Sequence, residues 1–285
     1  MSTPAPDPRA TLAPQRVAAA LRQASWRMSG GGATGSTNDD ARALALAGES
    51  GGVVILADEQ TLGRGRLGRA WSSPRGGVYA SVLLRPRLEA AALEALPLAA
   101  GLGIAEGLER LGVRVSLKWP NDLRVDGAKL GGVLVESRVS AGQVEWVVIG
   151  FGLNVRRPAT TAVGAAGENE TAYAPDGADG DAVRAVPAFL EEVAGRSLDP
   201  ALVAAAALDG LYRSTTALER AGFEPLAAAY RERSDIIGCE VTVRDADGRP
   251  IVSGVVDGFD ASGRLLVIVD GSSIAVAAGD VTLRT

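Results

Sequence analysis

The chain has 285 residues, 47% of them hydrophobic and 22% charged, with a formal net charge of -5 at pH 7. That length accommodates one large domain and a small one, and the acidic balance excludes a nucleic-acid binder that relies on overall positive charge. Histidine is absent, and the single cysteine is Cys239, which excludes His-based triads, most catalytic zinc sites and an internal disulfide.

Residues 1–14, rich in Pro, Ala and Thr, read as a disordered tail. A short Ala-rich helix follows over Gln15–Gln23, too little chain for a helix-turn-helix domain. The glycines of Ser29–Gly35 predict a loop, and Ser36, Thr37, Asn38 and Asp39 are helix-start chemistry before a helix body at Ala41–Ala47. Gly30, Gly35, Ser36 and Thr37 imitate the spacing of a nucleotide-binding P-loop, but Ser36 stands where the lysine is required and no apolar strand leads in. That motif is rejected.

Val53–Asp58 and Val78–Leu84 read as strands flanking a loop, Thr61–Gly77, dense in Gly and Arg. Pro97 opens a helix whose apolar face is Leu98, Leu102, Ala105 and Leu108. Arg114–Trp119 is a strand, and Leu123–Val125 and Leu130–Glu136 form a hairpin around Asp126 and Gly127. Val144–Phe151 is the next strand. Short turns between successive strands imply antiparallel pairing, with helices packed on one face. A long loop is expected over Pro158–Asp181, then helices at Ala182–Gly195, Pro200–Ala221 and Glu224–Arg233. Four short strands close the chain, at Glu240–Arg244, Ile251–Asp257, Leu265–Val269 and Ser273–Ala277. They predict a small antiparallel barrel of about 50 residues, too small for confident independent stability, and Cys239 at its start reads as packing. The expected organisation is therefore an α+β protein with a tail over 1–14, a main domain over 15–234 and a small barrel over 235–285. No apolar run reaches the ~18 residues of a membrane span. The start of the chain lacks a signal-peptide pattern, so a cytoplasmic protein is expected.

Four segments carry chemistry. The run Gly63, Arg64, Gly65, Arg66, Leu67, Gly68, Arg69 joins close-approach backbone to fixed cationic forks, which suits phosphate. The same run also reads as a solvated turn, although Trp71 beside it is a large indole for an exposed loop. Lys118, Trp119, Pro120, Asn121 and Asp122 end a strand abruptly, because proline cannot continue a central ladder. They are a site at a strand end or an ordinary turn with a salt bridge. Lys129 with Gly131 and Gly132, and Gly150 with Gly152 and Asn154, repeat the pairing of close-approach backbone with polar groups, and the last set reads equally as glycines serving a plain strand end.

In this order the segments resemble the biotin–protein ligase family. The resemblance rests on Gly35–Asn38, Gln60, Gly63–Arg66, Gly68, Arg69, Trp71, Lys118–Asp122, Lys129–Gly132 and Gly150–Asn154. It spans roughly Thr34 to Asn154, and the barrel pattern extends it to the C terminus. It implies a mixed, largely antiparallel sheet with helices on one face and a C-terminal SH3-like barrel, in the form lacking an N-terminal DNA-binding domain. The implied activity is formation of biotinyl-5′-AMP from biotin and ATP, then transfer of biotin to a lysine of a biotin carboxyl carrier protein. By position, Ser36, Thr37, Asn38, Gln60, Gly63, Arg64, Gly65, Arg66, Lys129, Gly132 and Gly150 would line the biotin site. Arg66, Arg69, Trp71, Lys118, Asn121, Asp122, Lys129 and Asn154 would handle ATP or the adenylate. Two positions depart from the pattern: Gly35, where many members carry an acidic residue, and Leu67, where some carry a third arginine.

The implied chemistry makes demands that these residues can meet. Hydroxyls of Ser36 and Thr37 and the amide of Gln60 match the ureido donors and acceptors. Bringing a carboxylate to an α-phosphate needs clustered cations, a role suited to Lys129, Arg66 and Lys118. Mg²⁺ is expected to bridge the ATP phosphates without a dedicated protein site. Asp122 is suited to orient the acceptor amine, and the loop Gly63–Arg75 to close over the adenylate. Nucleic acid and membrane are not expected as partners, and a monomer or weak homodimer is. A lipoate- or octanoate-transferring relative shares the implied fold, but the polar set favours a ureido ring over a flexible apolar tail. A biotin-responsive repressor would need the helix-turn-helix, and a noncatalytic binder would leave Lys118, Asp122 and Lys129 without purpose.

Overall fold

The computed structural model describes residues 11–158 and 187–283. In chain order the elements are α1 (Pro14–Ala20), β1 (Arg27–Gly30), β2 (Ala33–Thr34), α2 (Thr37–Leu46), β3 (Val53–Ala57), β4 (Glu59–Gln60), β5 (Gly77–Leu84), α3 (Leu96–Glu109), β6 (Ser116–Lys118), β7 (Asp122–Val125), β8 (Ala128–Ser140) and β9 (Gln143–Asn154). They continue with α4 (Leu190–Ala194), α5 (Pro200–Ala221), α6 (Glu224–Arg233), β10 (Glu240–Arg244), β11 (Pro250–Phe259), β12 (Leu265–Val269), β13 (Ser272–Val276) and β14 (Asp280–Leu283).

Seven strands form one sheet in the order β1-β3-β5-β9-β8-β7-β6. All neighbours in it are antiparallel except β1 and β3, which α2 separates in sequence. The sheet is mixed and largely antiparallel, as expected. Both of its faces are covered, and period-two alternation sorts the side chains. Val54, Leu56, Val82, Val147 and Ile149 join the main core beneath α3 and α5, whereas Val53, Ile55, Leu83, Trp146 and Val148 form a second cluster with Ala41 and Ala45 of α2. Among the described residues the long helices share one face, and α2 alone takes the other.

Tight turns hold the strands in register. Asp126–Gly127, Ala141–Gly142 and Asp270–Gly271 each have two successive positive φ values, near 49° and 78°, the geometry that matches strand twist in a two-residue hairpin. The five C-terminal strands form an antiparallel sheet in the order β13-β12-β11-β10-β14, consistent with an SH3-like unit. It docks on the larger sheet: Trp119, 1% exposed, donates from Nε1 to the Gly263 carbonyl at 3.1 Å, and Tyr230 of α6 meets Phe259 edge-on.

Several sequence expectations shift. The stretch Ser29–Gly35 is not all loop: β1 reaches Gly30, and Ala33–Thr34 pairs with Glu59–Gln60. Gly30 runs so close to β3 that a Cβ there would lie 2.3 Å from the Leu56 carbonyl oxygen, an approach made by backbone that side-chain patterning does not report. The helix expected over Ala182–Gly195 is confined, among the described residues, to Leu190–Ala194. The strand expected over Arg114–Trp119 contracts to Ser116–Lys118, and β14 follows Gly279 where no strand was expected. Most of the tail, most of the loop expected from Pro158 to Asp181 and residues 182–186 lie outside the described residues. No described helix is long and apolar enough to cross a membrane.

Helices α3 and α5 pack through glycines. A Cβ on Gly210 would stand 1.8 Å from the Gly103 carbonyl oxygen, and one on Gly107 2.1 Å from that of Ala206. Backbone fills those positions, so one methyl group forces the helices apart. Gly210→Ala is expected to cost about 1–3 kcal/mol, read as a lower urea midpoint at unchanged slope. An unchanged midpoint would show that the helices separate freely.

Candidate active site

Strand register builds the floor of the site from glycine. On the α2 face, one row across the sheet runs Lys118, Asp122, Gly132, Gly152, Tyr79 on β6, β7, β8, β9 and β5. The neighbouring row holds Leu134, Gly150 and Ser81, and the next Glu136, Val148 and Leu83. A Cβ on Gly150 would sit 1.9 Å from Asn38 Oδ1, and one on Gly152 2.5 Å from Trp71 Nε1. The two glycines thus admit the start of α2 and the arginine-loop tryptophan against the sheet.

The Gly150 end is built from hydroxyls and amides joined by hydrogen bonds. Extended backbone at Ser36, with φ -160°, starts α2, but its hydroxyl makes no capping bond. Ser36, Thr37 and Asn38 are all buried. Gln60 Oε1 accepts from the Thr37 backbone N–H at 2.9 Å and lies 3.1 Å from the Thr37 hydroxyl, while Gln60 Nε2 donates to Ser73 Oγ at 2.9 Å. Ser81 Oγ lies 2.7 Å from Thr37 Oγ1 and 2.6 Å from Asn38 Oδ1, and Asn38 Nδ2 donates to Glu136 at 2.7 Å. At the rim, Arg64 grips Asp39 with both guanidinium arms, at 2.5 and 2.7 Å. Those hydrogen bonds hold the Asp39 carboxyl below its ordinary range.

The Gly132 end is cationic. Lys129 Nζ pairs with Asp122 Oδ1 at 3.0 Å and lies 5.2 Å from the centre of the Trp71 ring, within cation–π range. Arg66 reaches Asn121 Oδ1 at 3.4 Å, the Gly279 carbonyl at 3.3 Å and Asp280 at 3.1 Å, and Arg69 shares Asp280. Lys118 makes no side-chain hydrogen bond among the described residues. Burial pushes its ammonium below the ordinary lysine range, while Asp122 pulls the other way. Burial likewise works against the charge of Arg66, with Asp280 and then Asp122 opposing it. Asp122 is therefore the carboxylate felt by all three cations. The buried indole N–H of Trp71 has no hydrogen-bond partner among the described residues.

The sheet face thus joins a directional end of hydroxyls and amides, edged by Glu136 and the Asp39–Arg64 pair, to a cationic end that can neutralise a phosphate. The Biotin/lipoate A/B protein ligase family model matches residues 32–154, the segment that supplies nearly all of it. Two similar curated proteins are both named biotin–(acetyl-CoA-carboxylase) ligase. That of Paracoccus denitrificans is 31% identical over 82% of this chain and 91% of its own length, and that of Mycobacterium tuberculosis 35% identical over 87% and 85%. The chain belongs to the biotin–(acetyl-CoA-carboxylase) ligase family. Among solved structures, the biotin protein ligase of Aquifex aeolicus in complex with biotin and ATP superposes with a TM-score of 0.70 at 26% identity, covering 90% of this chain and 98% of that one.

Within this ligase fold the residues expected from sequence fall into the two ends. Thr37, Asn38, Gln60 and Gly150 are together, with Gly63 packed where a Cβ would meet Ser73 Oγ at 2.6 Å and Gln60 Nε2 at 3.2 Å. Arg66, Lys118, Asn121, Asp122, Lys129 and Trp71 are together, and Gly132 lies beside Asn121 and Asp122. Asn154 donates to the Lys129 carbonyl at 3.4 Å. The arginine loop divides: Arg64 turns to α2, whereas Arg66 and Arg69 turn to the C-terminal sheet, with the Gly65 backbone N–H bonded to the Arg69 carbonyl between them. Ser73, Ser81, Glu136 and Asp280 escaped the sequence reading, and Asp39 reads there as helix-start chemistry alone. Ser81 left a signal as the one small polar side chain in the apolar strand Val78–Leu84.

Asp280 is the anchor of the loop in this arrangement. Removing it in Asp280→Ala is expected to speed tryptic cleavage between Arg64 and Arg69 several-fold. Cleavage at the parental rate would mean that Asp280 does not hold the loop.

Proposed function

We propose that this chain activates biotin with ATP to biotinyl-5′-AMP and then transfers biotin to a lysine of a biotin carboxyl carrier protein or domain. The observation that carries this reading is the gathering of Arg66, Lys118 and Lys129 around Asp122 beside a hydrogen-bonding end. The similar ligases are named for acetyl-CoA-carboxylase, and the similar Aquifex aeolicus structure holds biotin and ATP.

In the first step a biotin carboxylate oxygen attacks the α-phosphorus and pyrophosphate departs. Two anions must meet, so positive charge fixed in advance lowers the barrier most. Lys129 stands at the junction between the two ends, against Trp71 and Asp122, and we assign it to the carboxylate and the α-phosphate. Lys118 and Arg66 serve the phosphates. The Trp71 indole, its N–H packed against Gly152, serves as the surface that holds Lys129 in place. Ser36, Thr37 and Gln60 take the ureido ring, with Arg64 closing the rim through Asp39. Mg²⁺ does not fit a protein-held site: among the described residues no group of three His, Cys, Asp or Glu could hold a metal, and Asp122 is engaged by Lys129. The ion belongs to this reading as the companion of ATP phosphates, and no step is assigned to it.

In the second step the carrier amine attacks the acyl carbon and AMP departs. The amine must be neutral, and with a reference pKa near 10.4 few lysines are at neutral pH. Asp122 is the carboxylate we assign to orient it, with its pairing to Lys129 holding it in place until the carrier arrives. The region over 235–285 is proposed as a separate small domain and 15–234 as the catalytic one, because helices give way to a meander after Ser234. A cytoplasmic location, where ATP is supplied, and a monomer or weak homodimer complete the reading. Nucleic acid has no part in it at a net charge of -5.

Purified protein with biotin, MgATP and a carrier domain is expected to add one biotinyl mass to the carrier, and an unmodified carrier would refute the reading. Lys129→Ala is expected to lower biotin-dependent ATP–pyrophosphate exchange by about 100-fold or more, the scale of losing one transition-state donor. Exchange at the parental rate would remove Lys129 from the chemistry. Burial lowers the Lys118 pKa, so its charge is lost at lower pH than an exposed lysine's. The KM for ATP is therefore expected to rise on the alkaline side before ordinary lysines titrate, and Lys118→Arg to move that rise to higher pH. An identical alkaline limb in the variant would show that Lys118 does not meet the nucleotide.

A further inference from the structure

We propose that Asp235 is a positioning residue for ATP: its carboxylate stands beside Lys118 and holds that ammonium for the nucleotide phosphates without capturing it. This rests on the reading of Lys118 as a phosphate-binding group.

Strand register places the parts. Ser116 and Lys118 alternate along β6 and sit opposite Arg124 and Asp122 of β7, so all four lie on one face of the sheet. The chain leaving α6 runs along the free edge of β6. Leu117 bridges to Ser234 in parallel, and the Asp235 backbone N–H donates to the Leu117 carbonyl at 3.1 Å. The Asp235 side chain turns to the face that carries Lys118, with Oδ2 paired to Arg124 Nη1 at 3.0 Å and 3.5 Å from Ser116 Oγ. Its other oxygen, Oδ1, is buried and has no hydrogen-bond partner among the described residues. Two ion pairs, Lys129–Asp122 and Arg124–Asp235, therefore neighbour one ammonium that belongs to neither.

The electrostatics agree with this placement. Burial pushes Lys118 below the ordinary lysine range; Asp122 opposes that, Arg124 and Lys129 add to it, and Asp235 opposes it again. Burial raises Asp235 above the ordinary carboxylate range, and Arg124 and then Lys118 pull it back. Tyr230 of α6 faces the same two carboxylates, and burial, Asp235 and Asp122 together keep its hydroxyl neutral. Arg66 approaches from the loop, where it feels Asp280 and then Asp122.

An ammonium meant for phosphates needs its charge without a fixed partner, because a direct carboxylate pair must be broken for each ATP that binds. Arg124 holds Oδ2 of Asp235 and keeps that carboxylate from closing on Lys118. Its charge still reaches Lys118, since partly buried groups are screened little by salt. Asp122 does not suffice for this, being engaged by Lys129 at 3.0 Å and assigned to the carrier amine.

The test is biotin-dependent ATP–pyrophosphate exchange by the full chain, with the KM for ATP followed from neutral to alkaline pH. An ionised Asp235 raises the pH at which Lys118 loses its proton. The isosteric Asp235→Asn removes that charge, so the rise in KM is expected at lower pH, with values several-fold above the parental ones on the alkaline limb. Arg124→Gln removes the opposing cation and is expected to move the rise to higher pH. The two variants break the same ion pair, so a merely structural role would move them together. In the Lys118→Arg background, Asp235→Asn is expected to leave the rise where Lys118→Arg puts it. A parental alkaline limb in Asp235→Asn overturns the proposal, as does a shift of the same sign in Arg124→Gln or one that persists in Lys118→Arg. If Lys118→Arg alone moves the rise and Asp235→Asn does not, only the role of Asp235 fails. If Lys118→Arg changes nothing, the phosphate reading of Lys118 fails and takes Asp235 with it.

Discussion

Close approach of chain to sheet at Gly150 and Gly152 is the constraint on which the site depends. A side chain at either position would collide with Asn38 or Trp71 at under 3 Å, and both belong to segments that carry substrate-facing groups. Asn38 brings Ser36 and Thr37 with it at the start of α2. Trp71 brings the arginine loop and supplies the surface over which Lys129 lies. The two ends of the site are therefore positioned by the same strand, β9, and their separation is set by strand geometry, with alternate residues on one face about 6.6–6.8 Å apart.

Charge is organised around that floor by sharing. Asp122 answers Lys129 directly and Arg66 and Lys118 at longer range, and Asp280 answers Arg66 and Arg69. Fewer carboxylates than cations leaves the Gly132 end positive, which suits a phosphate-bearing substrate. The Gly150 end is built differently. Its hydroxyls and amides are joined by hydrogen bonds that link Gln60, Thr37, Ser81 and Asn38 to Glu136 at the edge.

Much of this was legible in the sequence because the relevant residues sit in short runs. Lys118–Asp122 is contiguous, and Pro120 marks the strand end that places it. The arginine loop announces itself by alternating Gly and Arg. Helix α5 begins and ends where Pro200 and Gly222 say it should. What stayed hidden depends on contacts between distant positions. Asp280 meets Arg66 across 214 residues, and nothing local distinguishes it from any surface aspartate. Glu136 reads as the polar end of a strand until register places it one row from Gly150. The parallel entry of β1 and the solitary position of α2 follow from backbone pairing, which hydrophobic patterning does not encode.

Asn38 and Gly150 have a consequence for how such a chain can drift. The amide occupies the volume that a methyl group at 150 would claim, and the missing methyl group has no other visible function. Neither position can change by itself without leaving a clash or a void. The pair behaves as a single heritable unit spread over two elements, so variation elsewhere in β9 is tolerated on different terms from variation at this crossing.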